Sequence, residues 1–173
     1  MKASTFIATS VDGVIARANG AIDWWPQNGG EPHGYVEFMA TVDAIVIGRK
    51  TFETVLEFEV WPYERPVVVL ASNPDHVTLP PGTNAEVMNA TPQDVVDRLC
   101  RRGMSHRYVD GGVTVQRFLA ARLLQRLIIT RVPALLGTGI PLFGPLASDV
   151  KLEHVETQSY RSGLVRSECL VRS

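Results

Sequence analysis

The sequence predicts a single α/β domain, spanning residues 1–173, whose sheet is mixed and mostly parallel. Three observations predict this class. Short β-branched runs alternate with helical patterns, the middle runs are continuously apolar, and the last two runs have no helix between them. Parallel strands covered by helices on both faces lose the alternation of polar and apolar residues. A chain of this length buries roughly two-thirds of its unfolded surface, which is enough for one core.

Five segments are predicted as strands because each is short and rich in β-branched residues. They are 4–10, 43–48, 66–71, 107–110 and 126–132. The second and third are apolar almost throughout, so they are predicted to be central strands. Near the C-terminus, the runs 152–157 and 164–171 are separated by only a short stretch ending in Gly163. They are predicted to form an antiparallel hairpin, which makes the sheet mixed.

Three helices are predicted from apolar residues at helical spacing. One begins with Thr91 as N-cap and Pro92 in the first turn, and Gly103 ends it. Another begins after Gly112, and a shorter one precedes the second strand. In chain order, the apolar residues of the three helices are Tyr35, Phe38, Met39 and Val42; Val95, Val96, Leu99 and Cys100; and Val115, Phe118, Leu119 and Leu123. Two segments rich in proline, glycine and asparagine, 26–32 and 74–81, are predicted as loops.

Composition excludes several classes of partner. The chain is 45% hydrophobic and 20% charged, with a formal net charge of −1. It therefore has no basic excess to suit a phosphate backbone, and we expect no nucleic-acid partner. It shows neither the apolar core of a secretion signal nor a run of about 20 apolar residues, so we expect no membrane contact and a cytoplasmic location. Cys100 and Cys169 lack metal-site spacing and are predicted to be core residues, with no metal bound.

The segment 43–53 is a buried strand that breaks at Gly48 into a helix start carrying Arg49, Lys50 and Thr51. Free backbone N–H groups and the positive end of the helix dipole favour a phosphate there, and the two cations add charge-assisted contacts. The pattern thus indicates an anion site. The alternative is a solvated turn whose cations are incidental.

The segment 108–115 repeats this order of strand, glycine and helix, with Gly111 and Gly112 at the turn. Without side chains, backbone can approach a diphosphate closely. A glycine pair alone is also typical of an ordinary tight turn, and this one lacks the G-x-G-x-x-G fingerprint. Ligands of open α/β sheets lie beyond the carboxyl ends of strands, so two such turns are predicted to face one crevice suited to a dinucleotide.

Three further features have a structural and a functional interpretation. The segment 132–143 combines glycines and prolines with apolar residues, which indicates a packed loop. Asp12 and Gly13 follow the first strand and are typical of a turn, with a catalytic role for Asp12 as the second interpretation. Trp24 and Trp25 form either an aromatic wall or part of the core.

Four segments together carry a family resemblance: SVDGVIA at 10–16, GRKTFE at 48–53, VDGG at 109–112 and LGTGIPLF at 136–143. In order and spacing they resemble the dihydrofolate reductase-like family, and most closely the branch that shares the reductase domain of bacterial riboflavin biosynthesis. The resemblance covers residues 3–171. It implies a three-layer α/β fold with a central mixed sheet of about eight strands and a C-terminal antiparallel hairpin. It also implies a homodimer.

The resemblance further implies an NADPH-dependent reductase of a pterin-like or pyrimidine-like heterocycle. The competing interpretation is a dinucleotide-binding protein of the same fold without catalysis. The implied cofactor residues are Ala8 and Ile15 at the nicotinamide; Gly48, Arg49, Lys50 and Thr51 at the 2′-phosphate and diphosphate; Ser72 and Asn73 at the adenosine; and Gly111, Gly112, Val113, Thr114 and Val115 around the diphosphate. The implied substrate-binding residues are Asp12, Trp24, Phe38 and Thr130.

One departure from the family pattern concerns the substrate. Dihydrofolate reductases place a carboxylate at the start of the helix before the Gly-Arg segment, and in this chain that position falls near Gly34. Its neighbours Glu31, His33 and Glu37 are not in register. Because substrate choice depends on such a group, we expect a substrate other than dihydrofolate. No deaminase zinc motif precedes the resemblance, which predicts a stand-alone reductase.

Overall fold

The computed structural model describes residues 2–26 and 32–172. Its strands are β1 (Lys2–Thr9), β2 (Val14–Ala16), β3 (Ala44–Gly48), β4 (Val67–Leu70), β5 (Ala85–Met88), β6 (His106–Asp110), β7 (Arg126–Arg131), β8 (Ile140–Pro141), β9 (Lys151–Ser159) and β10 (Val165–Arg172). Its helices are α1 (Tyr35–Ala40), α2 (Arg49–Leu56), α3 (Pro92–Arg101) and α4 (Gly112–Ala120), and a short 3-10 turn covers Pro74–His76.

Eight of the strands form one sheet in the order β5-β4-β3-β6-β1-β7-β10-β9. The first six strands in this spatial order, from β5 through β7, are parallel to one another. β10 is antiparallel to both β7 and β9. The predicted mixed sheet and C-terminal hairpin are therefore confirmed. Three strands were not predicted: β5, which lies at an edge of the sheet, and β2 and β8, which form a small antiparallel pair.

Helices cover both faces of the sheet and make three layers. Residues of α3 and α4 pack on one face, where Val46, Val68 and Val109 are buried. Residues of α1 and α2 pack on the other face, against Ile45 and Ile47. Strands buried on both sides gain nothing from polar positions, which explains their continuous apolar sequence.

The predicted helices are present, with differences at their ends. The Thr91 hydroxyl accepts the N–H of Asp94 at 3.2 Å, and the Asp94 carboxylate accepts the N–H of Thr91 at 3.0 Å, so α3 begins at the predicted capping box. Val42 and Leu123 lie beyond the last residues of α1 and α4. The predicted loop 26–32 falls mostly outside the described residues, and the predicted loop 74–81 contains the 3-10 turn.

The two cysteines match the prediction only in part: Cys100 packs against the core, but neither cysteine is fully buried. Cys100 and Cys169 are free thiols that are only partly buried, because one lies in the last turn of α3 and the other on β10, which is partly exposed along its length. Within residues 2–26 and 32–172, no cluster of His, Cys, Asp or Glu could hold a metal ion. None of the described helices is both long and apolar enough to span a membrane.

The two middle strands of the sheet separate towards their carboxyl ends. β1 pairs with β6 only from Lys2 to Ser4, and then continues beside β7 as far as Thr9. Beyond Tyr108, β6 keeps only its other neighbour, β3. The Tyr108 hydroxyl donates to the Phe6 carbonyl at 2.8 Å and closes the base of the opening. A cleft between β1 and β6 therefore opens at the edge of the sheet where the parallel strands end.

Candidate functional site

The two glycine turns predicted to bind anions meet beside this cleft. Gly48 ends β3 and is the N-cap of α2, and a Cβ built on it would lie 3.0 Å from Thr114 Oγ1 in α4. Gly111 joins β6 to α4 with φ of +88°, a conformation that glycine adopts without strain. A side chain at Gly111 would collide with the Thr51 hydroxyl of α2. The first turns of α2 and α4 therefore lie side by side.

The other two segments of the resemblance approach the same point. A Cβ on Gly112 would lie 3.0 Å from Ile15 Cδ1 in β2 and 3.1 Å from the Pro141 carbonyl oxygen in β8. Gln116 of α4 donates to the Leu142 carbonyl at 3.0 Å. The β2–β8 pair is thus held against the start of α4, and all four segments surround the mouth of the cleft.

Asp12 connects two of these segments. Its carboxylate accepts hydrogen bonds from Ser10 Oγ at 2.5 Å, from Gly137 N at 2.7 Å and from Leu136 N at 3.2 Å. These bonds, led by that of Ser10, lower the pKa of Asp12 to about 2. The carboxylate therefore fastens the loop before β8 to the end of β1, and its predicted contact with substrate stays a prediction.

The remaining predicted cofactor residues differ in accessibility. Arg49 and Lys50 are exposed at the start of α2, and the Arg49 guanidinium lies 3.1 Å from Glu53 Oε1. Ser72 and Asn73 are exposed just after β4. Val113 is exposed, whereas Val115 is buried in the core and its N–H donates to the Gly111 carbonyl. The structure thus brings together Ile15, Gly48, Thr51, Gly111, Gly112 and Thr114, while Val115 has a packing role and its cofactor contact stays a prediction.

Asp110 is a candidate functional residue to which sequence analysis gave no role. It ends β6 on the same face as Tyr108, at the border of the cleft, and its Oδ1 accepts the Gly111 N–H at 2.8 Å. Burial raises its pKa to about 6, although hydrogen bonds with Gly111 and Tyr108 lower it in part. A carboxyl group with this pKa exchanges a proton near neutral pH. The available signal was an acidic residue at the end of a predicted strand, directly before the Gly111-Gly112 turn.

The other three predicted substrate residues, Trp24, Phe38 and Thr130, lie on the α1 side of the sheet. The Phe38 ring centroid is 5.2 Å from those of both Phe6 and Tyr108. Trp24 packs against a cluster that contains Ala8, and Thr130 on β7 is the direct neighbour of Ala8 on β1. Phe6 and Ala8 share one face of β1, so Trp24, Phe38 and Thr130 lie along one wall.

The position expected to carry a carboxylate has none among the described residues. Gly34 is the N-cap of α1, Glu37 is exposed, and Glu31 lies outside the described residues. The guanidinium of Arg166, from β10, lies against Gly34, where an added side chain would collide with it. Arg166 was not predicted as a site residue, because nothing in the sequence around it relates it to α1.

Comparisons with known proteins agree with this arrangement. The sequence profile of the RibD C-terminal domain family matches residues 3–166. The uncharacterized protein YwjB of Bacillus subtilis (strain 168) is 34% identical over 168 residues, which cover 92% of each chain.

Two solved structures show the fold. A putative riboflavin biosynthesis protein from Shewanella sp. PV-4 is 35% identical, with a TM-score of 0.90 over 100% of both chains. Dihydrofolate reductase from Enterococcus faecalis, complexed with NADP(H) and RAB-propyl, is 18% identical, with a TM-score of 0.73 over 99% of this chain and 97% of that one. The protein therefore belongs to the RibD C-terminal domain family and has the dihydrofolate reductase-like fold, a reductase-type architecture.

Proposed function

We propose that this protein is an NADPH-dependent reductase that transfers hydride to a pterin-like or pyrimidine-like heterocycle. The observation that carries the proposal is the convergence of all four segments on the cleft between β1 and β6. The similarity to a dihydrofolate reductase solved with NADP(H) supports the choice of cofactor. Membership of the RibD C-terminal domain family supports the class of substrate.

The residues at the cleft fit a dinucleotide. Two helix starts lie side by side, and each offers free backbone N–H groups to phosphate oxygens. Gly111 lets the starts of α2 and α4 lie this close together, because a side chain there would collide with the Thr51 hydroxyl. Arg49 and Lys50 supply positive charge for the 2′-phosphate and diphosphate. Exposed Ser72 and Asn73 flank the path of the adenosine.

Bound NADPH would supply the hydride. The residues of the chain bind and orient the cofactor and the substrate, and they supply the proton. Ala8, which packs in the cluster of Trp24, and Ile15, which lies against Gly112, would hold the nicotinamide carboxamide. Reduction of a C=N or C=O group adds hydride to carbon and needs one proton at the nitrogen or oxygen. In this proposal the Asp110 carboxyl gives that proton, becomes a carboxylate, and recovers a proton from solvent.

The proton step predicts the pH dependence. Only protonated Asp110 is active, so kcat/KM is expected to fall as the pH rises through about 6, by about tenfold per pH unit above it. Asp110→Asn removes the acid and is expected to lower kcat at pH 6 by about 10²- to 10⁴-fold, with little change in NADPH affinity. Stopped-flow NADPH oxidation between pH 5 and 9 measures both. A variant that keeps the wild-type pH profile and rate would assign the proton to another group.

The proposal as a whole is tested by two separate measurements. NADPH binding is followed by calorimetry, and NADPH oxidation is followed by absorbance across a panel of pterins, pyrimidines and ribosylaminopyrimidines. Binding with turnover of a heterocycle supports the reductase. If NADPH binds and none of the panel supports its oxidation, the protein is better described as a dinucleotide-binding protein without catalysis.

Dihydrofolate is expected to be a poor substrate within that panel. The amino edge of a pterin ring needs a buried acceptor, whereas Gly34 carries no side chain and Glu37 is exposed. Each donor left unpaired costs about 1–3 kcal/mol, so with two donors unpaired kcat/KM is expected to be at least about thirtyfold below that of a dedicated dihydrofolate reductase assayed in parallel. Comparable turnover would show that Glu31 or Glu37 accepts from the pterin.

We also propose that the protein is a homodimer in the cytoplasm, without nucleic-acid or membrane partners. The support for a dimer is strand β9, which forms the edge of the sheet opposite β5. All nine of its residues are exposed. Leu152 and Val155 on this strand are each 48% exposed. Unpaired edges of this length are commonly covered by another chain.

A further inference from the structure

A row of side chains crosses the substrate wall on the face that packs against α1. Ala8 on β1, Thr130 on β7 and Arg166 on β10 are direct cross-strand neighbours. Trp24 packs beside Ala8. Thr130 Oγ1, Arg166 Nε and Trp24 Nε1 are all buried, and none has a hydrogen-bond partner among residues 2–26 and 32–172. The three unpartnered polar atoms therefore belong to one patch of side chains at the predicted substrate pocket.

Such atoms are unfavourable in the free protein. A buried donor or acceptor left without a partner destabilises the folded state, and native structures contain few of them. Two of the three, the indole N–H and the guanidinium Nε–H, can only donate, and the Thr130 hydroxyl can also donate. An oxygen acceptor is the ligand group that would satisfy all three together.

The position of Arg166 is determined by contacts that leave its Nε–H available. Its Nη1 donates to the His33 carbonyl at 3.2 Å, and its Nη2 donates to Glu156 Oε1 at 2.6 Å. Gly34 has φ of +85° and no side chain, which gives the guanidinium its place at the start of α1. This end of the pocket consequently presents a donor.

We propose that Arg166 is a specificity-determining residue which, together with Thr130 and Trp24, binds a carbonyl or carboxylate oxygen of the substrate. This inference rests on the proposed function, because it assigns the polarity of the same pocket. An oxo-substituted ring, or a ring bearing a carboxylate, satisfies the three donors. A ring that presents amino groups at this position leaves donors facing donors, and the pocket rejects it.

Three ring probes test the polarity, titrated by calorimetry into the full chain with and without saturating NADPH. They are uracil, orotate, and 2,4-diaminopyrimidine, which has amino groups where uracil has oxygens. Uracil or orotate is expected to bind at least about tenfold tighter than the diamino ring. Equal affinities for uracil and orotate assign the acceptor to a ring carbonyl, and tighter binding of orotate assigns it to the carboxylate. Equal or tighter binding of the diamino ring, or no binding of any probe to folded protein, overturns the inference.

A matched pair of variants separates ligand binding from packing. Thr130→Val removes the unpartnered hydroxyl, so it is expected to raise the Tm of the free protein and to weaken the oxo probe about tenfold. Thr5 Oγ1 is also buried without a partner within the described part of the chain, but Thr5 lies on the opposite face of β1. Thr5→Val is expected to raise the Tm similarly and leave probe affinity unchanged. Equal effects of both variants on probe affinity would overturn the inference.

Arg166→Lys keeps the positive charge but lacks the Nε–H donor and the planar fork. It is expected to reduce the preference for the oxo ring over the diamino ring by about tenfold while the protein stays folded. An unchanged preference would remove Arg166 from the subsite. The proposed function has its own test, which is independent of this inference: it fails if NADPH does not bind although the ring probes bind as described.

Discussion

Gly112→Asp is expected to abolish NADPH binding, with a loss of more than about a hundredfold in affinity, or about 2.7 kcal/mol. The substitution places a carboxylate at the first residue of α4, where the diphosphate is proposed to lie against free N–H groups. The like charges repel, and the carboxylate also competes for the same donors. Calorimetric titration of the folded variant with NADPH measures the loss.

The charge and the added volume at Gly112 need separate controls. A Cβ there lies 3.0 Å from Ile15 Cδ1 and 3.1 Å from the Pro141 carbonyl, so any side chain pushes on the β2–β8 pair. Gly112→Ala adds this volume without the charge. It is expected to lower the Tm and to weaken NADPH less than Gly112→Asp does. Unchanged NADPH affinity in a folded Gly112→Asp protein would show that the diphosphate lies elsewhere.

Arg49→Ala is expected to weaken NADPH by about tenfold to a few hundredfold while leaving NADH almost unchanged. The 2′-phosphate carries nearly two negative charges, and a planar guanidinium matches its oxygens better than an ammonium group does. Because Arg49 is exposed, solvent and salt screen this interaction. Raising the salt concentration is therefore expected to shrink the wild-type preference in the same direction. Dissociation constants for both cofactors at two ionic strengths provide the measurement.

Glu53 offers a control on the same helix, because it pairs with Arg49 one turn later. Exposed pairs of this kind contribute under about 1 kcal/mol. Glu53→Gln frees the guanidinium and is expected to leave the NADPH preference unchanged or to raise it severalfold. If Arg49→Ala loses NADH and NADPH equally, Arg49 holds the diphosphate or the fold, and it does not distinguish the two cofactors.

Several parts of the fold could be predicted because their signals are local. The apolar runs in β3 and β4 identify buried strands, and Thr91 with Asp94 marks the start of α3 within four residues of sequence. The pair of β2 with β8 could not be predicted in this way. Each is two or three residues long, and they pair across more than a hundred residues of chain. β5 contains Glu86 and lies at an edge, so it lacks the apolar run that identifies a buried strand.

The candidate site likewise has parts that depend on local sequence and parts that depend on long-range contacts. Sequence alone determined the fold class, the glycine turns that begin α2 and α4, and the cations at Arg49 and Lys50, since each depends on residues close together in the chain. Only tertiary structure decided the raised pKa of Asp110, because desolvation depends on what the whole fold packs around a carboxyl group. It likewise decided that Arg166 lies over Gly34, because strand order brings together residues that no local pattern relates.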